Sequence, residues 1–440
     1  MASNPSRKRS SVPTSRVGRL LRFGMLSGEL ALSSAMATAK QLSSGKRPDI
    51  ASTLLTPGNA DLLARRLASL RGPAMKVGQM LSLQGEDIIP AEFRNALGML
   101  RSQGYAMPDT QLKRVLGREY GKGWERKFDH FDMEPVAAAS IGQVHRARKR
   151  GGRELALKIQ YPGVAKSVDS DVDNLASLLR RLDFLPVSLD VDAIAGEAKR
   201  QLHQETDYES EARNLEKYGR HVAVMPEVLV PRVDRALTTR RILAMDWIEG
   251  EPLEHLAGEA VPQPRRNAVA RTLQALMFRE LFEFRFVQTD PNIANYLYVP
   301  DTHQVALLDL GSVGEYPAEF VDGYRRICRG VLHDDTRAIR EAIFDLGYGH
   351  PDDPPPMVDN AIDIMRLVCE PFAHRGTYDF AASGLISRAR NRGIEAAFGH
   401  GLRAPPPATM FLHRKLIGTF LICVKLHARI NVHALIEKYL

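Results

Sequence analysis

Asp290 and Asn295 stand five residues apart in Asp290-Pro291-Asn292-Ile293-Ala294-Asn295. Asp309 follows Asp290 by nineteen residues, at the end of the apolar run Val305-Ala306-Leu307-Leu308. Carboxylates and an amide oxygen are hard ligands, and Mg²⁺ needs only one or two protein carboxylates when phosphate oxygens complete its shell. The spacing suits a catalytic loop in which Asp290 meets a substrate hydroxyl while Asn295 and Asp309 hold the metal. Upstream, Lys158 ends the strand-like run Leu155-Ala156-Leu157-Lys158 and would hold nucleotide phosphates, oriented by Glu205 from a helix. Each residue alone has a plainer reading. Lys158 could be a snorkelling surface lysine, Glu205 a solvated helix face, and Asp290 and Asn295 ordinary loop and capping residues. Their order and spacing together define a kinase-type constellation.

Two departures qualify it. A Gly-rich loop should cover the phosphates, because glycine lets the backbone approach them closely. Here the chain reads Val136-Ala137-Ala138-Ala139-Ser140-Ile141-Gly142-Gln143-Val144, which predicts altered nucleotide geometry or selectivity at Ala137, Ala138, Ala139 and Ser140. After Asp309-Leu310-Gly311 only Ser312–Pro317 precede the next helical pattern. That leaves no room for the peptide platform of a protein kinase, so a protein substrate is not expected.

The elements that must position these residues follow from pattern. Val144–Ala147 and Glu154–Ile159 read as two strands joined by the turn Gly151-Gly152. Helical pattern covers Asp61–Leu83, Arg94–Arg101, Asp109–Tyr120, Ser170–Leu182 and Ala193–Tyr218, the last as one long helix. Glu227–Pro231 and Arg241–Trp247 are strand candidates. After Gly250 nearly everything reads as helical except a stretch around Val305–Asp309, with Pro354–Pro356 and Pro405–Pro407 as loops between helices.

At 440 residues, 44% apolar and 25% charged, the chain suits one large bilobal domain or two domains. That composition excludes wholesale disorder, a collagen-like repeat and a disulfide scaffold. Cys328, Cys369 and Cys423 lie far apart in apolar surroundings, which reads as buried thiols in a reducing compartment. Of the net charge of +8, six units fall in residues 1–28, so the body is nearly neutral and a nucleic-acid groove is disfavoured. The plain reading of that basic tail is a solvated arm. Among functional readings, attraction to an anionic membrane surface ranks above a transit peptide, because the apolar stretch Val17–Lys40 follows directly. Arg19, Arg22 and Glu29 keep that stretch from spanning a bilayer.

These motifs resemble the UbiB–ADCK family of atypical protein-kinase-like proteins, in particular its mitochondrial coenzyme-Q branch and bacterial relatives, from about Leu70 to the C-terminus. The family's K-x-G-Q motif corresponds to Lys76-Val77-Gly78-Gln79, its alanine-rich loop to Ala137–Gln143, and its E-x-D motif to Glu205-Thr206-Asp207. The widespread bacterial catalytic loop, H-x-D-P-H-P-G-N, is here Gln288-Thr289-Asp290-Pro291-Asn292-Ile293-Ala294-Asn295, which is similar to the mitochondrial branch, as is His413-Arg414-Lys415-Leu416.

The resemblance implies an α+β, bilobal kinase-like fold. Residues 1–50 would be the basic tail and membrane-surface helix, 51–127 the K-x-G-Q extension, 128–248 a strand-rich N-lobe and 249–440 a mostly helical C-lobe. It implies ATP and Mg²⁺ as cofactors, and ATPase or small-molecule kinase activity supporting ubiquinone biosynthesis. The partners would be ATP or ADP, a quinone-pathway lipid or biosynthetic enzymes, and a peripheral membrane surface; a homodimer stays open. The location would be the cytoplasmic side of a bacterial inner membrane, or the matrix side in a mitochondrion. Lys76 and Gln79 would be autoinhibitory and nucleotide-selecting. On one continuous helix Asp207 and Glu211 share a face, with Glu205 about 200° from Asp207, so Glu205 would face Lys158 while Asp207 or Glu211 pairs with Lys76. The competing class is a pseudokinase module whose nucleotide occupancy regulates a biosynthetic assembly.

Overall fold

The computed structural model describes residues 106–139, 141–180, 191–258, 260–398, 401, 403 and 405–440. The basic tail, the K-x-G-Q segment with Lys76 and Gln79, and Ser140 lie outside the described residues. The described chain forms two compact units: residues 106–213 with 232–247, and residues 214–231 with 248–440.

In the first unit, helix α1 (Asp109–Tyr120) precedes strands β1 (Phe128–Phe131), β2 (Ala137–Ala138), β3 (Gly142–Lys149) and β4 (Glu154–Gln160). Helices α2 (Val164–Arg180) and α3 (Val191–Glu205) follow, then α4 (Tyr208–Val222), whose residues from 214 on belong with β5 (Val228–Leu229) to the second unit, and β6 (Ile242–Asp246), back in the first. The antiparallel sheet runs β1-β3-β4-β6, with β2 paired to β3. Gly151 and Gly152 close the β3–β4 hairpin at φ of 100° and 91°, a left-handed bend that side-chain-bearing residues resist. Strand β4 is covered on both faces: Leu155, Leu157 and Ile159 are fully buried on one, Ala156, Lys158 and Gln160 nearly so on the other.

The expected single helix over 193–218 is two helices. It breaks at Thr206, and Asp207 caps the new start: its Oδ1 accepts from the Glu209 and Ser210 amides, both at 3.1 Å. A capping aspartate satisfies amides that have no partner within the helix, and acids at 209 and 211 suit the positive end of the helix dipole.

The second unit holds β7 (Glu251–Pro252), α5 (Gln263–Arg279), β8 (Phe286–Gln288), β9 (Tyr296–Val299), β10 (Gln304–Leu307) and β11 (Val313–Glu315). Helices α6 (Ala318–Leu332), α7 (Thr336–Asp345), α8 (Pro355–Val368), α9 (Leu385–Phe398) and α10 (Pro407–Lys425) complete it, with the short pair β12 (Tyr378–Asp379) and β13 (Arg429–Ile430). One sheet runs β5-β10-β9-β7, with β10 parallel to β5; a second pairs β11 with β8. This region is thus less uniformly helical than its pattern suggests. Strands of two to four residues are too short to display a two-residue period. The prolines at 355 and 407 open helices α8 and α10, where a missing N–H costs nothing, instead of marking loops throughout.

Candidate active site

Lys158 projects from β4 opposite Val144 of β3 and Leu243 of β6. Its ammonium donates to both carboxylate oxygens of Glu211, at 2.9 and 3.2 Å, and lies 5.4 Å from the centre of the Tyr208 ring. Glu211 is 1% exposed and Lys158 8%. This corrects the expected pairing. Glu211, in the first turn of α4, orients Lys158, a role the sequence reading gave to Glu205. Glu205 ends α3, and Asp207 is occupied as the helix cap. The helix break is the reason, because it removes the continuous 100° progression on which the expected faces were drawn.

The alanine-rich segment forms the β2–β3 hairpin. Ala137 pairs with Val144 and Ala138 with Gln143, and the Ala139 amide donates to the Gly142 carbonyl at 2.9 Å. Gly142 permits a close backbone approach: a Cβ there would stand 2.3 Å from the Ile159 carbonyl oxygen.

In the second unit the spacing of Asp290, Asn295 and Asp309 resolves into adjacent positions. Asn295 closes a single 3₁₀ turn, Ile293–Asn295, whose entry Asn292 caps through its Oδ1. Strand β9 then returns against β10, with Tyr296 opposite Leu307, and the Leu308 amide donates to the Asn295 carbonyl at 2.9 Å. Asn295 and Asp309 therefore share one end of the β9–β10 ladder. The Asn295 Nδ2 donates to the Asp290 carbonyl at 3.0 Å, which commits its nitrogen and leaves the amide oxygen as the end for a cation. Asp309 Oδ1 accepts from the Gly311 amide at 2.9 Å, and Asn214 of α4 holds the next turn through the Leu310 carbonyl at 3.0 Å. An amide oxygen and a carboxylate at one strand end fit Mg²⁺ with phosphate oxygens as its remaining ligands. Among the described residues no group of three or more His, Cys, Asp or Glu gathers in a metal-binding cluster.

Sequence reading missed the supports of the loop. Arg414 of α10 donates from Nε to the Thr289 carbonyl at 2.7 Å and from Nη2 to Asp290 Oδ1 at 3.2 Å. Lys415 pairs with Glu280 at 2.7 Å, both fully buried. Burial alone pulls the Lys415 ammonium down; the Glu280 carboxylate, with Tyr296 beside it, overrides that and holds it above the ordinary lysine value. Glu280 Oε1 also accepts from the Tyr218 hydroxyl at 2.7 Å and the Gln288 amide at 3.0 Å. Gly418 gives room to the loop, since a Cβ there would meet Pro291 Cγ at 2.2 Å. The available cues were the family-like motif His413-Arg414-Lys415-Leu416 and the position of Lys415 at the head of a mostly apolar helical run to Val424.

A strand-borne lysine paired with a helix glutamate, a loop aspartate and asparagine, and a strand-end aspartate define the protein-kinase-like class. A model of the ABC1 atypical kinase-like domain matches residues 99–343. The chain is 38% identical over 99% of its length to the rat protein named atypical kinase COQ8B, mitochondrial, covering 82% of that protein. It is 34% identical to the Saccharomyces cerevisiae protein named atypical kinase COQ8, mitochondrial, over 98% of this chain and 86% of that one. Among solved structures, the Rv3197–erythromycin complex of Mycobacterium tuberculosis matches with a TM-score of 0.62 and 25% identity, over 85% of this chain and 93% of that one. The chain belongs to the ABC1 (UbiB–ADCK–COQ8) family of atypical kinases.

Proposed function

We propose that this protein is a Mg-ATP-dependent atypical kinase or ATPase that supports ubiquinone biosynthesis, acting on or with a small lipid-like molecule at a membrane. The observation that carries the chemistry is the convergence of Asn295 and Asp309 at one end of the β9–β10 ladder, with the Asp290 loop anchored beside them. Mg²⁺ would neutralise phosphate charge there. Lys158, fixed by Glu211, would hold the phosphates; Asp290 would orient the attacking hydroxyl or water. The β2–β3 hairpin, with Ala137 to Ala139, would set nucleotide preference, and Lys76 and Gln79 would restrain access. The mitochondrial setting is suggested by the names of the COQ8 relatives, and the quinone pathway and the membrane surface by the family resemblance. Among the described residues no helix is long and apolar enough to cross a membrane.

The test is phosphate release by purified protein with and without membrane lipid, alongside thermal shifts with Mg-ATP. Asp309→Asn should abolish the shift, whereas Asp290→Asn should keep it and lose turnover. Equal shifts in Asp309→Asn and parent would remove Asp309 from the metal site. Nucleotide binding without phosphate release, lipid present or not, would favour the regulatory pseudokinase.

A further inference from the structure

The backbone carbonyl of Asp290 accepts two side-chain amides, Asn295 Nδ2 at 3.0 Å and Gln288 Nε2 at 2.6 Å. The second is tied to a buried polar cluster of its unit. Gln288, 1% exposed, turns its Oε1 to the Lys415 ammonium at 3.3 Å, and Lys415 is held by Glu280. The orientation of this amide is chemically forced. Flipped, its NH₂ would face an ammonium and its oxygen a carbonyl, leaving two buried repulsions. Glu280 opens a π-helical turn, Glu280–Phe284, that extends α5, and wider turns of this kind recur at functional sites. The turn brings Glu280 against both the backbone and, through Lys415, the side chain of Gln288.

We propose that Gln288 is a positioning residue for Asp290. It transfers the fixed placement of the Lys415–Glu280 pair to the Asp290 peptide by accepting a cation at one end and donating to a carbonyl at the other. The neutral imidazole of histidine can do the same, accepting on one nitrogen and donating from the other, and is the residue at this place in the H-x-D form of the loop. Methionine matches the length of Gln288 but has only a weakly accepting thioether and nothing to donate; glutamate, when ionised, accepts from Lys415 and has no proton to donate. The proposal rests on the assignment of Asp290 above, and the experiment separates the two.

Gln288→His, Gln288→Met, Gln288→Glu and Asp290→Asn are compared at pH 8 for phosphate release, and by hydrogen exchange across residues 289–295. Gln288→Met and Gln288→Glu should lower kcat at least about tenfold, with KM for Mg-ATP within about threefold of the parent, and Gln288→His should return kcat to within about threefold. Exchange should accelerate in the methionine and glutamate variants and recover in the histidine variant, a readout that holds even where turnover is absent. Parent-like kcat or exchange in Gln288→Met overturns the proposal, as does a histidine variant as impaired as the methionine one. Parent-like turnover in Asp290→Asn would instead overturn the assignment of Asp290, and the role given to Gln288 with it.

Discussion

Replacing Glu211 by glutamine changes one atom of a buried ion pair and decides which carboxylate serves Lys158. The pair is 2.9 Å long, with side-chain exposures of 10% for Lys158 and 1% for Glu211. At that separation two unit charges attract by about 5–6 kcal/mol for an effective dielectric near 20. Much of that offsets the desolvation of the two ions, so the net worth of the pair is small. Removing one partner is a different matter: it strands the other charge and costs about 3–5 kcal/mol. Glutamine keeps the shape and one acceptor, so Glu211→Gln should fall at the lower end, near ~3 kcal/mol. Glu205 is half-buried at the end of α3, and Glu205→Gln should cost no more than about 1 kcal/mol. Lys158→Met alone should also destabilise, whereas the double variant with Glu211→Gln should recover part of the loss, giving a coupling energy of at least about 2 kcal/mol. Urea unfolding of the parent, the three single variants and the two doubles of Lys158→Met with Glu211→Gln and with Glu205→Gln measures it, with intrinsic tyrosine and tryptophan fluorescence as the signal. Additive losses for Lys158 with Glu211, together with coupling of comparable size between Lys158 and Glu205, would refute the reasoning and restore the role first read for Glu205.

Gly418→Ala drives a methyl into the Pro291 ring, so it should destabilise by about 1–3 kcal/mol and depress kcat more than nucleotide affinity; parent-like kcat would show that the loop tolerates the displacement. His413 stacks on Tyr348 and shares a 2.6 Å hydrogen bond with its hydroxyl through Nε2, and burial pulls the imidazole down to about 4. Since the unfolded chain binds the proton near 6.5, this stabilisation is present above that pH and fades as pH falls towards 4. The pH dependence of urea midpoints should flatten across that window in His413→Gln, and an unchanged profile would count against a neutral buried imidazole. Double-mutant cycles of Lys76→Ala with Asp207→Ala, with Glu211→Ala and with Glu205→Ala should show coupling in one of the three, the largest coupling energy naming the partner of Lys76; additivity in all three would leave the K-x-G-Q motif as plain helix surface.

What the sequence disclosed and what it hid follow from range. The β3–β4 hairpin was legible because alternating apolar residues flank two glycines. The grouping of Asn295 with Asp309 was legible from residue type and spacing, although strand β9, which brings them together, is too short to show a period and was not. The break after Glu205 was written in Asp207-Tyr208-Glu209-Ser210-Glu211, a capping aspartate with an acidic first turn, yet the uninterrupted helical period masked it. Arg414 and Lys415 reach Asp290 and Gln288 from 124 and 127 residues away, and no local period records such a contact.

That distance has a consequence for synthesis. A chain made from its N-terminus emerges with Asp290, Asn295 and Asp309 more than a hundred residues before Arg414 and Lys415. The β5–β10 pairing, also non-local, can close early, because both strands are then outside the ribosome. The loop itself lacks its guanidinium and its buried ammonium until α10 is complete, and until then Glu280 is a carboxylate without its lysine. The nascent protein therefore holds the acidic half of its site unfastened, and the last long helix to be translated locks it.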